Sequence, residues 1–152
     1  MTWTLVLASV HHVAAGTIAV VLALELILLK FDLTKDSART LIRVDTAYGI
    51  AALVLLVVGL LRVFYTEKGA QYYFHSAPFL VKFSSFIIVG LLSIYPTMQF
   101  LSWRKALAQD QVPVVAAGTR RKMRMLVHIE LTLLVVIVFS AVMMARGVGY
   151  FG

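Results

Sequence analysis

The sequence predicts an all-α fold, a four-helix transmembrane bundle, and two observations carry the prediction. Of the 152 residues 61% are apolar and only 14% charged, against about 45–50% and about 25% in soluble domains. The apolar residues also gather into four long runs, near residues 4–29, 44–65, 78–103 and 123–145, with the charges clustered in the stretches between them. Each run is long enough to cross a hydrocarbon core of about 30 Å at about 1.5 Å of helix rise per residue. The whole chain reads as a single membrane domain, residues 1–152.

The first span lacks a basic leading region and exceeds the length of a signal-peptide core, so a retained helix is expected rather than a cleaved leader. Membrane helices pack through small residues. On that rule His12, which shares a stripe with Ser9, Gly16, Ala19 and Ala23, is expected to point inward. His11 lies about 100° round the helix, nearer Leu22 and Glu25. The second span aligns Asp45, Tyr48, Gly49, Ala52, Leu56 and Gly59, with Arg62 at its edge. The third aligns Lys82, Ser85, Val89, Ser93 and Pro96, a polar stripe for a membrane helix, and Pro96 is expected to kink it. On the fourth, His128, Thr132, Val135, Phe139 and Met143 form one stripe, with Glu130 nearly opposite.

Ten of the fourteen lysines and arginines fall in the first and third loops, and the other four are Arg62, Lys68, Lys82 and Arg146. The positive-inside rule therefore puts those loops in the cytoplasm and both termini on the periplasmic side of a bacterial inner membrane. Trp3, Tyr65, Tyr72, Tyr73, Trp103 and Tyr150 fall where aromatics are expected at headgroup level. The net charge of +7 is explained by this loop asymmetry and does not point to nucleic acid. The absence of cysteine excludes disulfides, thiolate metal sites, iron–sulfur clusters and c-type haem attachment. Phosphate-binding, dinucleotide, nucleophile-elbow and His-Glu-x-x-His motifs are all missing from the sequence.

Ionisable groups at membrane depth are costly, about 2.5–3.5 kcal/mol each on the insertion scale, and they mark functional positions by default. Here they separate into two layers. His11, His12, Arg62 and Lys82 fall in the outer half, and Glu25, Asp45, His128 and Glu130 in the inner half. His12 is the first candidate ligand for haem iron or another metal, His11 the second, and His128 a ligand to the same or another haem. Helical rise puts His12 and His128 about 15 Å apart along the membrane normal. Lys82 and Arg62 are the candidate catalytic residues, placed to hold an anionic substrate or a propionate. Glu25, Asp45 and Glu130 have the composition of a proton relay or a hard-metal site.

The chain resembles a family of uncharacterised bacterial four-helix membrane proteins. The resemblance is carried by His11-His12, by Asp45-Thr-Ala-Tyr48-Gly49, by the run from Gly59 through Arg62, Tyr65 and Glu67 to Gly69, and by Lys82-Phe83 with Gly90-Leu-Leu-Ser93-Ile-Tyr95-Pro96-Thr97. More distantly it is similar to HemJ-type protoporphyrinogen oxidases and to copper-resistance membrane domains, which resemble small b-type cytochromes. In the former an inward histidine on the first helix is paired with a lysine on the third, matched in kind by His12 or His11 and Lys82. This sequence departs from them where the first helix ends in Leu-Glu25-Leu-Ile-Leu-Leu-Lys30.

The expected function is a haem b-binding membrane redox protein or oxidase acting on electrons or a hydrophobic, porphyrinogen-like reductant. A proton-coupled transporter or metal-handling protein, and a non-catalytic subunit of a larger membrane complex, are the alternatives. A monomer bundle in lipid is expected, with a homodimer or larger assembly through its exposed faces.

Overall fold

The computed structural model describes residues 2–65 and 68–152; Met1 lies outside it, as do Thr66 and Glu67 of the Gly59–Gly69 run. The described chain runs α1 (Thr2–Leu28), α2 (Lys35–Tyr65), α3 (Gly69–Phe74), α4 (Ala77–Ser102), α5 (Arg104–Ala108) and α6 (Ala117–Ala145). The helices α1, α2, α4 and α6 are long and apolar enough to cross a membrane. They form two closely packed pairs, α1 with α2 and α4 with α6, and the pairs meet along a seam. Both termini lie at the end of the bundle that carries α3, the terminal end; the loop from Leu29 to Thr34 and α5 lie at the opposite, basic end.

Two helices begin earlier than their apolar runs. At the start of α2, Thr34 and Ser37 cap one another: the Thr34 N–H donates to Ser37 Oγ at 2.8 Å and the Ser37 N–H to Thr34 Oγ1 at 3.1 Å. That reciprocal pair satisfies N–H groups that a helix start leaves without partners. The early turns of α6 carry Arg120, whose guanidinium donates to the Leu29 carbonyl at 3.1 Å and to the Phe31 carbonyl. It thereby ties α6 to the carbonyls that end α1. The exposed Lys35–Asp110 pair, 2.9 Å apart, ties the start of α2 to the loop after α5.

The core is densest toward the basic end, where Ile18, Leu22, Leu41, Val89, Phe100, Met123 and Val127 are each buried. Trp103, expected among headgroups, is buried against Phe100 with ring centroids 5.2 Å apart. Pro96 is buried within α4, and the helix continues through it to Ser102. At the terminal end, Ser76 bridges to Tyr150, the Ala77 N–H donates to the Gly149 carbonyl, and Tyr72 stacks on Tyr150 at 4.9 Å. Gly149 has φ +78° and its Cα faces the Pro78 ring so closely that a Cβ would stand 2.8 Å from Cδ. Only glycine meets both demands there.

Candidate functional site

The buried face of α1 is not its small-residue stripe. It runs through Ala14, Ile18, Val21, Leu22 and Glu25, while Ser9, His12 and Gly16 are exposed. His11 stands at the head of that buried face, at the three- and four-residue spacing that leads through Ile18 to Leu22 and Glu25. The expected orientations of the adjacent histidines therefore exchange. His12 faces outward with its Nδ1 2.6 Å from the Ala8 carbonyl, and His11 turns toward α2, where a Cβ on Gly59 would stand 3.7 Å from its Cε1. The small-residue rule fails on α1 because the large aliphatic side chains of Ile18, Val21 and Leu22 form its buried face. Gly49 is likewise exposed, so Gly59 alone of the two aligned glycines serves close approach.

Toward the terminal end the two helix pairs leave a cleft of about 310 Å³. His11, Gly16 and Ala19 of α1, Gly59 and Arg62 of α2, Phe79, Lys82 and Phe86 of α4, and Leu134 and Ile137 of α6 line it. Its walls include Val138, 58% exposed, and Leu60, 38% exposed, which would face lipid. The cleft therefore opens sideways from the bundle into the bilayer. Its polar groups are few: the His11 imidazole, the Arg62 guanidinium, the Lys82 ammonium and Tyr73, with Lys82 and Arg62 both within electrostatic reach of the ring of His11. His11 Nδ1 is sealed from solvent and has no hydrogen-bond partner. A mostly apolar cavity with a few convergent polar groups is the usual form of a small-molecule site, commonly about 300–1,000 Å³.

A second polar group lies in the core, nearer the basic end. Glu25 of α1, Asp45 of α2 and Glu130 of α6 are all buried, at 3%, 8% and 1% exposure. The Thr97 hydroxyl donates to Asp45 Oδ1 at 2.8 Å and the Tyr48 hydroxyl to Glu130 Oε2 at 3.3 Å. Both bonds cross the seam between the helix pairs. Outside the membrane spans, Asp110 is held below the ordinary aspartate range, first by the hydrogen bond from Lys35 and then by its charge.

Among the sequence-derived candidates, His11, Arg62 and Lys82 come together, and so do Glu25, Asp45 and Glu130. His12 and His128 belong to neither group; the stripe of His128, Thr132, Val135, Phe139 and Met143 is the exposed face of α6. The three histidines are thus not gathered, and among the described residues no three His, Asp or Glu side chains are placed to hold a metal ion. Sequence reasoning missed Tyr48 and Thr97 as the partners of the core acids. Their signal was present, since both share a helix stripe with a residue that turns inward.

A family model described as "Predicted membrane protein (DUF2214)" matches residues 3–149, and the chain belongs to that family. No curated protein and no solved structure matches it.

Proposed function

We propose that this member of a membrane-protein family binds haem b in the lateral cleft and works as a membrane redox protein or oxidase. The observation that carries the proposal is the His11 imidazole, its Nδ1 without a hydrogen-bond partner, in the wall of a cleft bordered by Arg62 and Lys82. An imidazole without a hydrogen-bond partner is a ready metal ligand, and a buried polar atom left unsatisfied costs about 1–3 kcal/mol unless something pairs with it. The residues fit the group. Apolar and aromatic side chains match a flat macrocycle, Gly59 leaves room beside His11, and two cations answer two propionates through charge-assisted hydrogen bonds. His11 would hold the iron and Lys82 and Arg62 the propionates. With one histidine in the cleft, the group bound would supply the one-electron and oxygen chemistry of iron with a single protein ligand. The chain's own part is to orient the macrocycle, to exclude water with Phe79 and Phe86, and to admit a hydrophobic reductant from the bilayer.

Protein purified after haem supply during expression is expected to show a Soret band. A colourless protein under those conditions overturns the proposal. A second reading is supported by the sideways opening of the cleft: an apolar lipid-like molecule with an anionic end, carrying no iron, would use the same cations. Extraction of such a molecule with the colourless protein would favour it.

We further propose a bacterial inner-membrane location with the basic end in the cytoplasm, from the ten basic residues at that end. Single cysteines at Thr2 and Gly152 are then labelled from outside intact cells and one at Ala108 is not; labelling at Ala108 reverses the topology.

A further inference from the structure

The core acids raise a question of charge. Glu25, Asp45 and Glu130 come from three different helices and lie within electrostatic reach of one another. The basic side chains nearby are directed elsewhere. Arg120 serves the carbonyls of Leu29 and Phe31, Lys122 lies over the Tyr95 ring at 4.1 Å, and Lys30, Arg43 and His128 are exposed. From α4 the cluster is faced by the Thr97 hydroxyl and from α2 by that of Tyr48, which Ser93 of α4 meets in turn. Tyr48 and Thr97 each bring one donated hydrogen. Glu25 Oε1 and Glu130 Oε1 are sealed from solvent and receive none.

Three negative charges cannot persist in this setting. Burying one carboxylate costs several kcal/mol even after relaxation, and like charges at close range add to it. A bound cation or bound protons must neutralise the cluster. A metal ion is disfavoured, because among the described residues no three acidic or histidine side chains are placed to hold one. Protons meet the remaining need directly, since a carboxyl oxygen that takes a proton changes from acceptor to donor. Donors are what the two orphan oxygens lack.

We propose that Glu25, Asp45 and Glu130 form a proton-binding site in the bundle core, independent of what the cleft binds. Asp45, the least enclosed of the three, is the point of exchange with solution. Glu25 and Asp45 belong to one helix pair and Glu130 to the other, so proton loss sets like charges against each other across the seam.

The test uses the full chain in proteoliposomes and dicyclohexylcarbodiimide, an apolar reagent that modifies protonated carboxyl groups. An adduct at Glu25 or Glu130 is expected, falling at least about tenfold between about pH 6 and about pH 10 and indifferent to Na⁺, K⁺ or Mg²⁺. Protection by any of those cations at constant pH overturns the proposal in favour of a cation site. Infrared spectroscopy of the unmodified protein supplies the second measurement and does not depend on reagent access. A carbonyl band of protonated carboxyl groups is expected at neutral pH, shifting in D₂O and weakening in Glu25→Gln/Glu130→Gln. Its absence from the wild-type protein at neutral pH overturns the proposal whatever the reagent does.

Discussion

Substitution of Tyr48 by Phe tests the seam between the helix pairs. The hydroxyl donates to Glu130 Oε2 at 3.3 Å, about 0.5 Å longer than the usual O–H···O contact, so the bond itself contributes less than about 1 kcal/mol. Its removal matters more for what it leaves behind. Glu130 is 1% exposed and its Oε1 already lacks a partner, so Phe at 48 strips the carboxyl group of the hydroxyl that serves it. An orphaned buried acceptor costs about 1–3 kcal/mol in soluble proteins. Cross-helix hydrogen bonds in membrane bundles average about 0.6 kcal/mol with a maximum of about 1.7. The expected loss is therefore about 1–1.4 kcal/mol, a fivefold to tenfold shift in the unfolding equilibrium, read by titrating mixed micelles with a denaturing detergent. A double-mutant cycle with Glu130→Leu isolates the pair, because the same Tyr48→Phe change should cost almost nothing once the acceptor is gone. A coupling energy below about 0.3 kcal/mol would refute the claim that this contact helps hold the seam.

Two further predictions concern the loops and the cleft. Because Asp110 is held low by the Lys35 hydrogen bond, its contribution to stability is complete above the ordinary aspartate range and is lost as pH falls through its depressed value. Asp110→Asn, which tolerates the local φ of 55°, should lower stability slightly at neutral pH and flatten the loss seen below about pH 4. An unchanged acid limb would show that the pair contributes nothing. In the cleft, Gly59→Ala places a Cβ in ordinary contact with His11 at 3.7 Å and should retain ligand, whereas Gly59→Leu fills the space beside the ring and should weaken haem binding at least about tenfold. Equal affinity in titrations of the two variants would show that the ligand does not lie beside Gly59.

The membrane fold was legible because long apolar runs and loop charges are composition-level signals, insensitive to which face a helix turns inward. The face assignments succeeded or failed according to what packs. On α4 the stripe from Lys82 through Ser85, Val89 and Ser93 to Pro96 turns inward as its spacing predicts, and on α2 so do Asp45, Tyr48 and Gly59. On α1 the small-residue rule chose His12, whereas the heptad-like row ending in Leu22 and Glu25 chose His11. Two residues adjacent in sequence differ by about 100° around a helix, so one wrong choice of stripe exchanges a cleft residue for a lipid-facing one. Pairing across helices was less legible still. That Glu130 meets Tyr48, and Asp45 meets Thr97, depends on the relative heights of three helices, which periodicity does not encode. The reciprocal cap of Thr34 and Ser37 that starts α2, and the early turns of α6 that carry Arg120, lie outside the apolar runs, which give no sign of a helix that continues beyond the hydrocarbon.

The most direct test of the cleft as a haem site is a haem titration followed at the Soret band, run in parallel on wild-type protein, His11→Ala and His12→Ala in lipid nanodiscs. Wild-type and His12→Ala should bind alike, because the His12 ring faces away from the cleft with Nδ1 against the Ala8 carbonyl, and His11→Ala should lose the band. A band that survives in His11→Ala, or that disappears in His12→Ala, would contradict the account.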